Sequence, residues 1–430
     1  MRTSVPIILF VAWLATPLAQ SAPSPSGSEI ALLHKMLRDG HDVVHNLYYD
    51  QKFHGLDWDA RFREYDRRID GVASLNAGLL LVDEFLSGLD DSHTGLWTLR
   101  RSFDVDYGYR TMAIGDDVFI TRISPGGDAD GRLNRGERVI AIDGQMMNRL
   151  ERDKFSRTLS LQPRRATTVR VRASDGLERE VTVQAKVTEK PKSAMNKLEL
   201  PSYSEALDPA VAAKWQAFAE RDGVLLWKLG AFTMRPVDLA DGMERTAGHR
   251  ALVLDLRGNG GGYDVTLNEL VAHLYGRSVT IGRDVGRSGG RSVKLAKSGR
   301  QFTGQLVVVV DSRSGSNAEV FARAVQLEHR GTVVGDRTAG AVMQARIVGF
   351  SFTDGKNVVP YFFSVTIADF VANDGHTLEH VGVTPDEIVL PGPDELRSGA
   401  DPALARAFAL CGVTLTPADA AALVHADWIR

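Results

Sequence analysis

The sequence predicts a multidomain protein of the α/β class, and three observations carry that expectation. The chain has 430 residues, more than one ordinary domain holds. Its apolar residues change period twice, from helix spacing to strict alternation and then to strands alternating with helices. No internal repeat or long low-complexity tract offers another architecture. Hydrophobic residues make up 43% of the chain and charged residues 24%, so a sizeable core can form.

The leading residues read as an export signal, residues 1–22. Arg2 supplies the positive charge, an apolar run extends from Pro6 to about Leu18, and Ala19-Gln20-Ser21 offers the small residues that precede a cleavage site. The run falls short of the ~20 residues that span a bilayer comfortably. A retained membrane anchor is the competing reading. Pro23 to Ser28 reads as a linker.

Residues 29–100 form a predicted helical domain. Ile30, Leu33, Met36 and Leu37 repeat at helix spacing, as do Leu79, Leu80, Val82, Phe85 and Leu86, with Gly40, Gly55 and Gly71 as punctuation. Residues 104–188 read as a β module. Val169-Arg170-Val171-Arg172 and Val181-Thr182-Val183 alternate, Asp143-Gly144 and Asp175-Gly176 mark turns, and one helix fits near Arg149 to Leu159. Residues 194–430 read as an α/β core with a helical tail, with a strand at Gly223–Trp227 and buried strands at Ala251–Asp255 and Leu306–Val310.

Composition narrows the partners. A net charge of −3, with arginines spread among acids, predicts no nucleic-acid partner and no electrostatic attraction to an anionic membrane. The single cysteine, Cys411, rules out an intramolecular disulfide and reads as a buried apolar side chain. His41 and His45 stand four apart on a predicted helix, but Asp42 replaces the Glu of H-E-x-x-H and no third ligand is evident. No metal site and no cofactor are expected.

Two strand ends and one helix end could carry chemistry. Leu306–Val310 runs into Asp311-Ser312-Arg313-Ser314-Gly315-Ser316-Asn317-Ala318-Glu319, a strand, a turn of small residues and a helix start. Ser316 at that start would have free backbone N–H groups nearby, which can stabilise an oxyanion. The alternative is that Ser316 only caps the helix, with Glu319 completing a capping box. The run Arg257-Gly258-Asn259-Gly260-Gly261-Gly262 follows another buried strand and lets backbone N–H groups approach a ligand. It fails the G-x-G-x-x-G spacing because Tyr263 takes the last glycine's place. Asp90-Asp91-Ser92-His93 closes the helical region.

In series, these segments resemble the tail-specific, C-terminal-processing and tricorn serine peptidases. Gly335-Asp336-Arg337-Thr338-Ala339-Gly340 and Leu378-Glu379-His380-Val381-Gly382-Val383 add to the match, and Ile123-Ser124-Pro125-Gly126-Gly127 with Gly136-Glu137-Arg138-Val139-Ile140 resembles a PDZ module. The resemblance implies a PDZ-like β module, a core of crotonase or Clp protease type, polypeptide substrates and Ser316 as nucleophile. Ala341 stands where the processing branch carries a lysine base. The tricorn-like branch instead implies His93 as base, with Ser92 and Glu379 completing the set. Ser92 or Glu379 would hold the imidazole or position a water. The oxyanion would face the N–H of Gly260 or Gly261 and of Asn317. Asp106-Tyr107-Gly108-Tyr109 is the candidate carboxylate-binding loop of the PDZ-like module. The rival reading is a non-catalytic peptide- or retinoid-binding relative, which Ala341 favours and Ser92-His93 opposes.

Overall fold

The computed structural model describes residues 24–97, 103–189, 215–295, 301–355 and 357–423. The predicted export signal and Lys356 lie outside them. Helices α1 (Gly27–Leu47), α2 (Trp58–Ile69) and α3 (Leu75–Ser87) open the chain. The linker reading of Pro23–Ser28 ends early: Ser26 Oγ accepts from Glu29 N and Glu29 Oε2 accepts from Ser26 N, so the helix begins at Gly27. Gly40, read as punctuation, lies inside α1. A Cβ there would already touch Phe363 at 3.4 Å, so the position serves close packing rather than a turn.

The short strand β1 (Gly95–Trp97) leads to a module of β2 (Phe103–Asp106), β3 (Tyr109–Ile114), β4 (Asp117–Ile123), β5 (Arg138–Ile142), β6 (Gln145–Met146), helix α4 (Arg149–Leu161), β7 (Ala166–Arg172), β8 (Glu178–Gln184) and β9 (Lys186–Glu189). Five strands run antiparallel in the order β3-β4-β5-β7-β8, with β6 beside β5. Val118, Ile120, Val139, Val169 and Val171 point inward at alternate positions and pack with Phe155 of α4. β2 and β9 pair as an antiparallel ribbon at the entry and exit of the module.

The remaining chain forms β10 (Gln216–Arg221), β11 (Val224–Leu229), α5 (Ala240–Arg245), β12 (Ala251–Asp255), α6 (Asp264–Tyr275), β13 (Val279–Gly286), β14 (Gly289–Leu295), β15 (Gln305–Val310), α7 (Asn317–Leu327), β16 (Thr332–Gly335), β17 (Met343–Asp354), β18 (Asn357–Ala372), β19 (Glu387–Ile388), α8 (Pro393–Ser398), α9 (Pro402–Leu410) and α10 (Pro417–Ala422). A six-stranded sheet runs β10-β11-β12-β15-β16-β19, parallel except for β10. Leu252, Leu254 and Val308 face α6 and α7 on one side, while Val253, Val307 and Val309 face α9 on the other. Both faces are covered, which explains why these strands read as continuous apolar runs. Cys411 is buried on the α9 side, and burial pushes its thiol up to about 11.

A second sheet, β1-β18-β13-β14 with β17 beside β18, joins the two ends of the chain. Leu96 pairs with Phe363, and Phe363 pairs with Val348. Tyr361, Phe363 and Val365 pack against Leu33, Leu37, Phe85 and Leu86 of the helices. The helical region therefore shares its core with residues almost three hundred positions away. Each of these fully buried side chains contributes about 1.5–3 kcal/mol relative to exposure.

Candidate active site

The parallel sheet sets the site at the carboxyl ends of β12 and β15, where α/β sheets bind ligands. Ser316 follows β15 at the start of α7 with φ 52° and ψ −122°, outside the relaxed regions for a residue with a Cβ. Its N–H donates to Ala341 O at 2.9 Å and to Glu319 Oε2 at 3.0 Å. The amide of Glu319 donates to the Ser316 carbonyl rather than to its hydroxyl. Only the return half of a capping box is therefore made, and the hydroxyl is left for the cavity it lines.

That cavity holds about 410 Å³ and is bordered by Ser92, His93, Gly260, Ser316 and Asn317. Val320, Val342, Met343 and Phe370 give it an apolar wall. The N–H groups of Gly260 and Asn317 make no hydrogen bond among the described residues, and the second is the first amide of α7, without a helical partner. The choice left open between Gly260 and Gly261 narrows. Gly261 N donates to Asn259 Oδ1 at 2.9 Å, so it has no proton to offer a substrate. Gly261 has a steric part instead, because a Cβ there would lie 2.5 Å from Ser316 Cβ.

Ser92, His93 and Glu379 come together from opposite ends of the chain. Ser92 N donates to Glu379 Oε1 at 2.6 Å, and Ser92 Oγ donates to Glu379 Oε2 at 2.9 Å. Val342 N gives the same carboxylate a further bond of 2.8 Å. The Ser92 hydroxyl has one proton, which points at Glu379. Its 2.7 Å contact with His93 Nδ1 is then a bond accepted from Nδ1–H. That tautomer leaves a lone pair on Nε2. Burial pushes the His93 imidazole below its usual value, against the opposite pull of Glu379 and Asp91. The ring is thus neutral at pH 7.

Three supports escaped the sequence reading. Asp91 Oδ1 accepts from His93 N (2.9 Å), Thr94 N (2.6 Å) and Thr366 Oγ1 (2.7 Å), fixing the turn that carries the histidine. The Asp-Asp pair before Ser92 was a turn signal of the kind that could have found it. Asn259 bridges the two loops: its carbonyl accepts from Gly315 N at 2.9 Å and its Nδ2 donates to Leu229 O at 3.0 Å. Arg149 of α4 donates to Asp336 Oδ2 at 2.6 Å and Arg337 O at 2.8 Å, docking the β module on the core, and to Gly115 O of its own module at 2.7 Å.

His41, of the His41 and His45 pair, has another use. His41 Nδ1 contacts Asp42 Oδ1 at 2.9 Å and Nε2 contacts Asp59 Oδ1 at 2.8 Å, so both ring nitrogens are engaged. Among the described residues no group of three or more His, Cys, Asp or Glu could hold a metal ion. No helix among them is long and apolar enough to cross a membrane.

Two segments of the chain match known domains. Residues 231–389 match Peptidase family S41, and residues 34–86 match the Tricorn protease C1 domain. This chain is a serine peptidase that carries an S41 domain. The chain is 24% identical over 383 residues to a carboxyl-terminal-processing protease of Synechocystis sp., covering 85% of this chain and 83% of that protein. It is 26% identical over 372 residues to the chloroplastic C-terminal processing peptidase of Tetradesmus obliquus, covering 80% and 74%. Its fold is shared with the crystal structure of mature CPAF, at a TM-score of 0.62 and 15% identity, over 85% of this chain and 94% of that one. The multidomain α/β expectation thus agrees with this shared fold.

Proposed function

We propose that the chain is an exported endopeptidase that cleaves polypeptides through an acyl-enzyme, with Ser316 as nucleophile and His93 as general base. The hydrogen-bonded chain Glu379–Ser92–His93, on the wall of the cavity that Ser316 also lines, is the observation that carries this reading. A serine hydroxyl is a weak nucleophile until a base takes its proton. His93 Nε2 takes that proton as Ser316 Oγ attacks the scissile carbonyl. The imidazolium formed is stabilised through Ser92 by the Glu379 carboxylate and then protonates the leaving amine. The carbonyl oxygen, now negative, accepts from Gly260 N–H and Asn317 N–H; losing one such donor costs about 3 kcal/mol. Water, deprotonated by His93, then releases the acyl group.

The β module, read as PDZ-like, gates access rather than capturing a terminal carboxylate. In the Asp106–Tyr109 loop, Gly108 N donates to Asp106 Oδ1 at 3.0 Å, so an incoming carboxylate would meet a like charge. Carbonyls along the free edge of β3 are also covered. Arg110 Nη1 holds Tyr109 O, Arg152 Nη2 holds Thr111 O and Ser312 Oγ holds Ala113 O. A peptide adding a strand here must first displace them. Export rests on Arg2 and the apolar run after it.

The test is Ser316→Ala assayed on casein beside the parent protein, with fluorophosphonate labelling of both. Loss of cleavage and of labelling, with unfolding unchanged, is the expected result. Full activity in the variant would remove Ser316 from the mechanism. An unlabelled parent protein would favour the binding-only relative that Ala341 suggested.

A further inference from the structure

Three consecutive amides bridge two buried carboxylates. Gly340 N and Ala341 N donate to Glu319 Oε1 and Oε2 at 2.7 and 2.9 Å, and Val342 N donates to Glu379 Oε2 at 2.8 Å. Glu319 is 0% exposed. Thr338 Oγ1 donates to its Oε1 at 2.5 Å and Ser316 N to its Oε2 at 3.0 Å. Each oxygen thus accepts two bonds. The Ser316 N–H is shared with Ala341 O, at 2.9 Å. The backbone at the place where a lysine would supply the base in the processing branch is here a strut between the nucleophile turn and the Glu379–Ser92–His93 chain.

We propose that Glu319 is a positioning residue: as a carboxylate it clamps the Ser316 turn to the 340–342 strut and so fixes Ser316 against His93. This inference rests on the Ser316 and His93 reading above. A carboxylate can only accept, which suits four donors. Protonation puts a hydrogen on an oxygen already faced by two donors, and at least one bond must break. In a buried network the donor left without its acceptor is costly. The clamp then loosens at the reacting atoms, where ~1 Å of misplacement costs about 10²-fold in rate.

Burial pushes the Glu319 carboxyl up to about 7, with its four hydrogen bonds pulling the other way. No bond to it comes from a charged group. Asp336, beyond Thr338, is tied to Arg149; Glu379 and His380 bond Ser92 and Asp90 O; Asp311, on the nucleophile loop, bonds Gly258 N and Arg313 N. The competent form is deprotonated, so the clamp is lost as pH falls through about 7. His93 must also be unprotonated, and its value lies below the ordinary 6.5. The acid side of the rate profile therefore carries two protons, one from each group.

The experiment measures kcat and KM on a casein-derived peptide from pH 5 to 9 for the full chain, Glu319→Gln and Thr338→Val, with His93→Ala as reference. Glu319→Gln is expected to lower kcat about 10²-fold with KM little changed, and to turn the two-proton limb into a one-proton limb below pH 6.5. Thr338→Val removes one donor to the carboxylate and moves the upper limb to higher pH. A Glu319→Gln protein with parent kcat overturns the inference, as does one with low kcat and an unaltered two-proton limb. If Glu319→Gln does not fold, an unmoved limb in Thr338→Val overturns it instead. An active His93→Ala protein would sink the underlying mechanism; an inactive one beside an unchanged Glu319→Gln profile sinks the clamp alone.

Discussion

Gly261→Ala separates a steric requirement from a conformational one. At Gly261 φ is +94°, and a Cβ would lie 2.5 Å from Ser316 Cβ and 3.0 Å from both Asn317 N and Gly315 O. Carbon atoms in contact prefer about 3.5–4.0 Å, so the methyl must push the Ser316 turn away by roughly 1 Å. A shift of ~1 Å at reacting groups costs about 10²-fold in kcat. Gly258→Ala is the matched control. Its φ is +73°, but its Cβ would meet nothing closer than Arg313 Nη2 at 3.4 Å. Both variants adopt a left-handed backbone at a cost of about 1–2 kcal/mol, and the clash adds about 1–3 kcal/mol for Gly261→Ala alone, so its thermal midpoint should fall further. Only Gly261→Ala should lose activity. The assay is steady-state cleavage of casein, with Tm for each protein. Equal losses of kcat in the two variants, or a fully active Gly261→Ala, would refute the argument that Gly261 exists to admit Ser316.

Four further outcomes follow from the same geometry. His93→Ala should lower kcat/KM by at least ~10³-fold, as loss of a triad member does, and Ala341→Lys should not restore it, because a new base lacks a supporting shell. Ser92→Ala cuts the link between Glu379 and Nδ1 and should cost about 10²-fold in kcat, the lower end of acid–base assistance, with KM steady. Arg149→Met leaves Asp336 buried without its cation and should destabilise the chain by about 3–5 kcal/mol in urea unfolding, with earlier proteolysis of the β module. Removing residues 104–186 should change the ratio of long-peptide to short-peptide cleavage; an unchanged ratio would end the gating proposal.

Local pattern made much of this protein legible. Sterics within three or four residues produce the helix spacing of α1 and α3, the alternation of β7 and β8, and the strand–turn–helix that carries Ser316. A strand buried on both faces must be apolar throughout, so β12 and β15 stood out without knowledge of their partners. Gly40 was misread because a helix tolerates glycine when a neighbour such as Phe363 needs the space, and that neighbour is distant in sequence.

The proposed site was legible as parts and not as an assembly. Ser316, His93, Ser92 and Glu379 could be named from segments, but the bond from Ser92 to Glu379 spans 287 positions and exists only after β1 pairs with β18. No local preference records such a closure. The same holds for hydrogen-bond accounting. Gly260 and Gly261 are equivalent as letters, and they differ because Asn259 takes the proton of one of them. Glu319 read as a helix cap because it stands three residues after Ser316. It became a four-bond buried carboxylate because chain closure brought Thr338, Gly340 and Ala341 around it, and in an interior without water those donors had to find an acceptor.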